Sequence, residues 1–356
     1  MGLLYTGLKI FHFQQKLESL ARDKSDILAP LHIRLKPTNF CNHNCWYCAY
    51  RAANLQLGQN MSQRDHIPRQ KMIELVEDMG QMGVKAVTFS GGGEPFCYPY
   101  LKEAALALAQ QGISFASLTN GSRLEGELAE IFAHQATWVR ISLDGWDEES
   151  YSAYRKVPAG AFTKLMSHLS DFKALGGACL LGVSLVVDQN NAPHVHELIR
   201  RLRDTGVDSV KVGPCIVSNQ GHENNLYHQP IFSLVKEQVQ RAKDEMGDDS
   251  FQVYDTYHTM DERFTKSYQW CPYLQILPVI GADLRVYSCH DKAYNMDCGC
   301  LGSIEEQSFS EFWFNGKEKF FSIDPSRDCD HHCVANGKNQ LVLEYLQAEP
   351  GHLGFV

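Results

Sequence analysis

Cys41-Asn-His-Asn-Cys45-Trp-Tyr-Cys48 places three thiols within eight residues. Three is a chemically informative number. A structural zinc ion closes its shell with four ligands, and its catalytic counterpart keeps one open position. A [4Fe–4S] cluster held by three thiolates leaves one iron free to take a substrate or cofactor. His43, between the first two cysteines, would complete a zinc site, and three unconnected thiols are the remaining reading. A second group lies far downstream. Cys271, Cys289, Cys329 and Cys333 make a closed set of four for another cluster or for zinc, with His331 and His332 adjoining. Asp297-Cys298-Gly-Cys300 either supplies a ligand to that set or is a loop with two free thiols. Cys97, Cys179 and Cys215 stand alone.

These belong to a chain of 356 residues with 12 cysteines, 33 Lys plus Arg and 42 Asp plus Glu, for a net charge of −9. The acidic balance argues against binding a nucleic-acid backbone, which calls for a basic face. No apolar run approaches the ~20 residues that span a bilayer. The first residues, MGLLYTGLKIFHFQQKLESL, have no basic n-region, clean apolar stretch or cleavage site. A reducing, cytoplasmic setting follows, where clustered thiols hold metal or do redox work rather than form a disulfide frame.

The elements that must carry these residues alternate. Short β-rich runs are His32–Lys36, Ala86–Phe89, Phe115–Leu118, Trp138–Leu143, Leu180–Val187 and Ser209–Val212. Between them lie amphipathic runs over Pro68–Met82, Tyr100–Gln111, Glu125–His134, Phe162–Leu175 and Pro193–Thr205. Gly112, Gly176 and Gly206 follow three of these helices, where a left-handed terminal residue favours glycine. Six βα units in a row predict a parallel sheet, open or curved, with its chemistry at the C-terminal strand ends. The strand ends carry Ser90-Gly91-Gly92-Gly93-Glu94-Pro95, Thr119-Asn120-Gly121 and Ser142-Leu143-Asp144-Gly145. Residues 229–246 read as one helix. Beyond Cys271 the chain is loop-rich, with a hairpin around Val279–Tyr287 and a short helix near Phe309–Phe314. That segment is too poor in apolar periodicity to fold without a staple.

The CxxxCxxC loop after the first strand, with Tyr47 before its last cysteine and a glycine run one strand later, resembles the radical SAM superfamily. The resemblance implies an α/β fold: a partial (β/α)6 TIM-like barrel with a small loop-rich C-terminal iron–sulfur domain. The expected divisions are an N-terminal helical extension over 1–30, the barrel over 31–225, a connecting helix and linker over 226–270, an auxiliary cluster domain over 271–337 and a tail over 338–356. Cys41, Cys45 and Cys48 would hold a [4Fe–4S] cluster whose open iron takes S-adenosylmethionine (SAM). Gly92, Gly93 and Glu94 match the motif that holds the SAM amino group. Ser142 and Arg155 match residues that bind its carboxylate, a task a bidentate guanidinium suits. Tyr47, Asn120 and Asp144 join the cofactor set. Asn120 would reach the ribose or cap a turn, and Asp144 would serve the pocket or hold its own turn.

The later cysteines resemble the SPASM/twitch extension of such enzymes. Only the last CxxxC of the dense SPASM run is present, which fits the shorter, twitch-like form with one auxiliary [4Fe–4S] cluster on Cys271, Cys289, Cys329 and Cys333. Leu284 stands where a glycine is usual in the hairpin. The implied reaction is reductive cleavage of SAM to a 5′-deoxyadenosyl radical, which removes a substrate hydrogen. A flavodoxin or ferredoxin-type donor would supply the electron, with no nucleic acid or membrane involved. Cys215, ending the last strand, would donate a hydrogen atom in an epimerisation or fill space as a small apolar residue. His290, Asp291 and Lys292 would take the proton of an oxidation or be ordinary loop residues. The leading expectation is oxidation or epimerisation of a small polyhydroxylated substrate such as a sugar, aminocyclitol or nucleoside. No N-terminal domain for a leader peptide is expected. A peptide- or protein-modifying maturase is the alternative, and a non-enzymatic iron–sulfur electron carrier the third reading.

Overall fold

The computed structural model describes residues 4–355. Seven parallel strands run in chain order: β1 (His32–Leu35), β2 (Ala86–Phe89), β3 (Ser114–Thr119), β4 (Trp138–Leu143), β5 (Leu180–Val187), β6 (Ser209–Pro214) and β7 (Gln252–Asp255). Each pairs with the next. Three further strands, β8 (Val279–Ile280), β9 (Arg285–Tyr287) and β10 (Cys300–Ser303), extend the sheet from the other side of β1. β8 runs parallel to β1, and β9 and β10 return antiparallel. The whole is one ten-stranded sheet with β7 and β10 at its edges, a partial barrel rather than a closed one.

Two features differ from the sequence expectation. The seventh strand lies inside the polar stretch assigned to a connector; only four residues long, it carries too little alternation to stand out. The hairpin after Cys271 is continuous with the barrel sheet, because β8 continues the ladder that β1 opens.

The strands alternate two faces. Ile33, Leu35, Val87, Phe89, Val139, Ile141, Leu143, Leu181, Val183, Val210 and Val212 point into one apolar core shared with the surrounding helices. The helix Arg69–Met82 shows why. Pro68 caps it without needing its missing N–H, Met72, Leu75, Val76 and Met79 form one buried stripe, and Gly83 ends it at φ 82°. Gly112, Gly176 and Gly206 also adopt positive φ. The opposite face of the strands is polar, bearing His32, Arg34, Thr88, Arg140, Ser142, Ser184 and Lys211. Among the described residues no helix is long and apolar enough to cross a membrane.

Candidate cofactor sites at the strand ends and beyond

The loop after β1 carries Cys41, Cys45 and Cys48, all partly accessible and none in a disulfide. Its shape is imposed by neighbouring strand ends. Backbone N–H groups of Gly93 and Glu94 donate to the carbonyls of Thr38 and Phe40 at 3.0 and 2.8 Å. Asn42 bonds Ser122, and Asn120 bonds Asn42 at 2.9 Å. Asn44 donates to the carbonyl of Arg155, and Trp46 to that of Tyr154. Ends of β2, β3 and the helix Glu148–Arg155 thus grip one loop.

The three glycines after β2 are needed for this grip. A Cβ at Gly92 would lie 2.0 Å from Asn39 Oδ1, and one at Gly93 2.0 Å from the Phe40 carbonyl oxygen. Neither has positive φ, so close backbone approach rather than a left-handed turn explains them. Glu94 follows, 3% exposed. Its Oε1 accepts from Phe96 N at 2.9 Å and Thr119 Oγ1 at 2.5 Å, and Oε2 from Asn120 N at 2.7 Å. A carboxylate has about four acceptor sites, so one remains for an ammonium donor. Burial pushes this carboxyl up, against the pull of those three bonds.

Arg155 is fully buried at the end of its helix. Its Nε pairs with Asp144 at 2.8 Å, while Nη2 donates to the Ser142 carbonyl at 2.7 Å and to Tyr47 Oη at 3.2 Å. Nη1 has no protein partner among the described residues. The Ser142 hydroxyl likewise makes no hydrogen bond to the protein. The Asn120 amide is spent on Asn42 and Ser122. These residues therefore divide: Glu94, Ser142 and Arg155 keep unused polar capacity, Asn120 and Tyr47 hold the frame, and Asp144 does both, holding Arg155 through Oδ1 while its buried Oδ2 has no partner.

The thiols fit an iron–sulfur cluster better than one zinc ion. Tetrahedral zinc with bonds of about 2.3 Å needs its sulfurs about 3.8 Å apart. The three sulfurs do not all lie within 4.8 Å of one another. His43 is buried with Nδ1 unpartnered, and its ring meets Tyr151 edge-on. Burial pushes the Cys41 thiol up to about 12 and Cys45 in the same direction, so an added cation is what would stabilise the thiolates.

The second group comes from three separate places in the fold. Cys271, Cys289, Cys329 and Cys333 line one cavity of about 60 Å³, together with Lys266, Asp291, Lys292 and His331. Cys298 and Cys300 do not line it; Cys298 receives a hydrogen bond from Lys292 at 3.3 Å, and Cys300 lies in β10. Asn339 donates to the Cys271 sulfur at 3.2 Å. Burial pushes Cys329 up to about 12, and burial with neighbouring negative groups moves Cys289 and Cys333 further up. Four converging thiols that disfavour one another's ionisation suit a multi-iron cation. Cys289, Asp291 and His331 also offer ligand atoms within 4.8 Å of one another, a spacing compatible with a single metal ion.

His290 and Asp291 sit between the two groups. Lys36, fully buried on β1, donates to Tyr50 Oη and to the Gly91 carbonyl, and lies 3.5 Å from His290 Nδ1. Tyr50 Oη is 3.1 Å from that nitrogen. Sequence reasoning passed over Lys36 and Tyr50, although a lysine at an inward position of a barrel strand was a usable signal. Lys292 points to the Asp328 carbonyl and Cys298. Cys215 is buried after β6, its thiol pushed up by burial to about 12 and therefore protonated at neutral pH.

A parallel partial barrel with a three-cysteine loop gripped by its strand ends defines a class of cofactor-binding barrels. Residues 35–202 match the family model described as the Radical SAM superfamily. The chain carries a radical SAM domain over those residues, with a cysteine-lined C-terminal segment added to the same sheet. An S-adenosylmethionine-dependent nucleotide dehydratase from Lacinutrix mariniflava is 29% identical over 110 residues, 31% of this chain and 22% of that protein. A GTP 3′,8-cyclase from Chlorobaculum tepidum is 32% identical over 124 residues, 34% of this chain and 35% of that protein. The matches thus span well under half of these relatives. Streptococcus suis SuiB bound to precursor peptide SuiA has a similar fold, with a TM-score of 0.65 at 14% identity over 98% of this chain and 80% of SuiB.

Proposed function

We propose that the protein is a radical SAM enzyme that oxidises or epimerises a small polyhydroxylated substrate held inside the barrel between two iron–sulfur sites. The observation that carries this reading is the placement of the two cysteine groups, joined through Gly91, Lys36, Tyr50 and His290. Cys41, Cys45 and Cys48 would hold the first [4Fe–4S] cluster, and Cys271, Cys289, Cys329 and Cys333 an auxiliary one. With SAM bound, the first cluster supplies an electron that yields methionine and a 5′-deoxyadenosyl radical, the agent that takes hydrogen from carbon.

The chain's own residues do the rest. Glu94 offers its remaining acceptor site to the SAM ammonium, while Ser142 Oγ and Arg155 Nη1 offer donors to the carboxylate. Thr119, Tyr47 and Asp144 keep those groups aimed, because each is bonded to one of them. Cys215, as a buried thiol, would return a hydrogen atom if the outcome is epimerisation. Asp291, at the wall of the second cavity, would accept the proton released in an oxidation. Two partial relatives named for nucleotide substrates favour a small molecule. The similarity in fold to a peptide-bound protein keeps peptide modification as the competing reading.

The test is anaerobic incubation of reconstituted protein with SAM and dithionite, with iron counted in the same sample. Formation of 5′-deoxyadenosine with about eight irons per chain, two clusters of four, is the expected result. Its absence with both clusters intact would sink the enzyme reading, and about four irons would remove the auxiliary cluster.

A further inference from the structure

The inner face of the barrel carries an excess of positive charge that the protein does not neutralise. Within β1–β7 as bounded above, the residues sharing the inward register include His32, Arg34, Arg140 and Lys211, with Lys36 just after β1, and none is acidic. This occurs in a chain whose net charge is −9. Lys36 is bonded to Tyr50 and Gly91. The other cations are not so provided for. Arg140 and Lys211 are half-buried, and among the described residues their side chains make no hydrogen bond and no ion pair with the protein; Arg34 makes none either, but it lines the cavity of the four cysteines. The Nε atoms of Arg34 and Arg140 are buried without a partner.

These groups are close enough to repel one another. Burial, then Arg140, Arg263 and Arg34 among its neighbours, push Lys211 down to about 8, and burial pushes Arg140 down to about 10. Arg263, from the segment after β7, contributes only long contacts of 3.4 Å to His332 and Thr259. Aromatic rings supply part of the compensation: Arg140 lies over Tyr5 at 4.9 Å and Trp138 at 5.1 Å, and Lys211 over Tyr5 at 6.0 Å. Asp291 faces both Arg34 and Arg263 from the C-terminal segment, Cys289 also faces Arg34 and Glu262 also faces Arg263, none of them as an ion pair. Asp144 and Asp188, just beyond β4 and β5, are engaged by Arg155 and by Tyr154. Unpaired charges taken from water are costly, and folded proteins do not gather them without an opposite charge to meet.

We infer that the lumen binds the phosphoryl group of a phosphorylated small substrate through Arg140 and Lys211, with Arg263 at its edge. The inference rests on the reading of a small substrate inside the barrel and narrows its class to sugar or nucleoside phosphates. The placement suits that role. Arg140 precedes Ser142 by two residues on the same face of β4, about 7 Å along the strand. A substrate anchored by phosphate at Arg140 would extend its carbon skeleton toward the strand ends, where Glu94 and Ser142 lie. Gly182, opposite Arg140 on β5, lets Ser209 and Arg140 approach the backbone: a Cβ there would come 2.9 Å from Ser209 Oγ and 3.7 Å from Arg140 Nε.

The experiment compares ribose with ribose 5-phosphate, which differ only in the phosphoryl group, by calorimetry and thermal unfolding of the reconstituted full chain. Ribose 5-phosphate should bind at least tenfold more tightly than ribose and raise Tm, with the advantage shrinking as salt rises. Arg140→Gln and Lys211→Gln should each weaken ribose 5-phosphate about tenfold, while Lys236→Gln, an exposed residue outside the lumen, should not. Both lumen variants should unfold no earlier than the parent, since each relieves repulsion. Equal affinity for the two sugars, loss of binding in Lys236→Gln, or early unfolding of both lumen variants would overturn the inference. Because binding is read without turnover, tight phosphate-dependent binding in a protein that never forms 5′-deoxyadenosine would support the anion site and defeat only the proposed reaction.

Discussion

The two cysteine groups solve the same problem in opposite ways. Cys41, Cys45 and Cys48 lie on one short loop, and the fold's contribution is to grip that loop from outside, through Gly93, Asn120 and the end of the helix Glu148–Arg155. Cys271, Cys289, Cys329 and Cys333 have no common loop; a cavity wall assembles them across more than sixty positions of sequence. The first arrangement leaves an accessible side toward the strand ends, as a site must that admits a cofactor. The second is enclosed by Lys266, Lys292, His331 and Asn339, as suits a group that exchanges electrons and needs no substrate contact.

The sharpest way to break this contrast is to remove each group in turn. Replacing Cys41, Cys45 and Cys48 by Ala should abolish 5′-deoxyadenosine formation and cost about four irons per chain. Cys289→Ala should also cost about four irons yet leave SAM cleavage measurable. If SAM cleavage instead survives the first replacement and dies with the second, the roles are reversed. A smaller effect concerns the frame around the first site. Asp144→Ala leaves the buried Arg155 guanidinium without its partner, at a cost of about 3–5 kcal/mol. Chemical denaturation of the variant should show that loss, whereas an exposed pair such as Arg69–Glu103 should contribute under about 1 kcal/mol.

Glu94→Gln tests the unused acceptor site. The amide keeps the volume but loses the charge, so SAM affinity should fall about tenfold, the factor matching ~1.4 kcal/mol, while the iron count stays unchanged. Equal affinity by calorimetry would remove Glu94 from the site. The smallest effect is expected at Lys156, which ends the Arg155 helix in the left-handed region at φ 55°. Lys156→Gly should raise stability by up to about 1 kcal/mol with SAM cleavage unaltered.

Much of the barrel was legible because its signals are local. Alternation in Trp138–Leu143 marks a strand, the stripe Met72–Val76–Met79 marks a helix, and CxxxCxxC marks a loop that can converge on one group. The short β7 was not legible, since Gln252–Asp255 has no distinctive alternation and is a strand only because β6 pairs with it. Leu284 shows the reverse case. Its departure from the usual glycine was visible in the sequence, and the structure places it at φ 58°, a conformation glycine adopts without cost.

The sequence by itself determined the parallel α/β architecture, the three-thiol loop and the residue types at each strand end, because hydrophobic period and ligand spacing act over a few residues. Only the tertiary structure decided that Arg155 is clamped by Asp144, that four distant thiols share one cavity, and that Arg140 and Lys211 face the lumen without ion pairs. Those outcomes depend on which strands become neighbours and what water is excluded, and burial, not residue identity, sets the energetic weight of a charge.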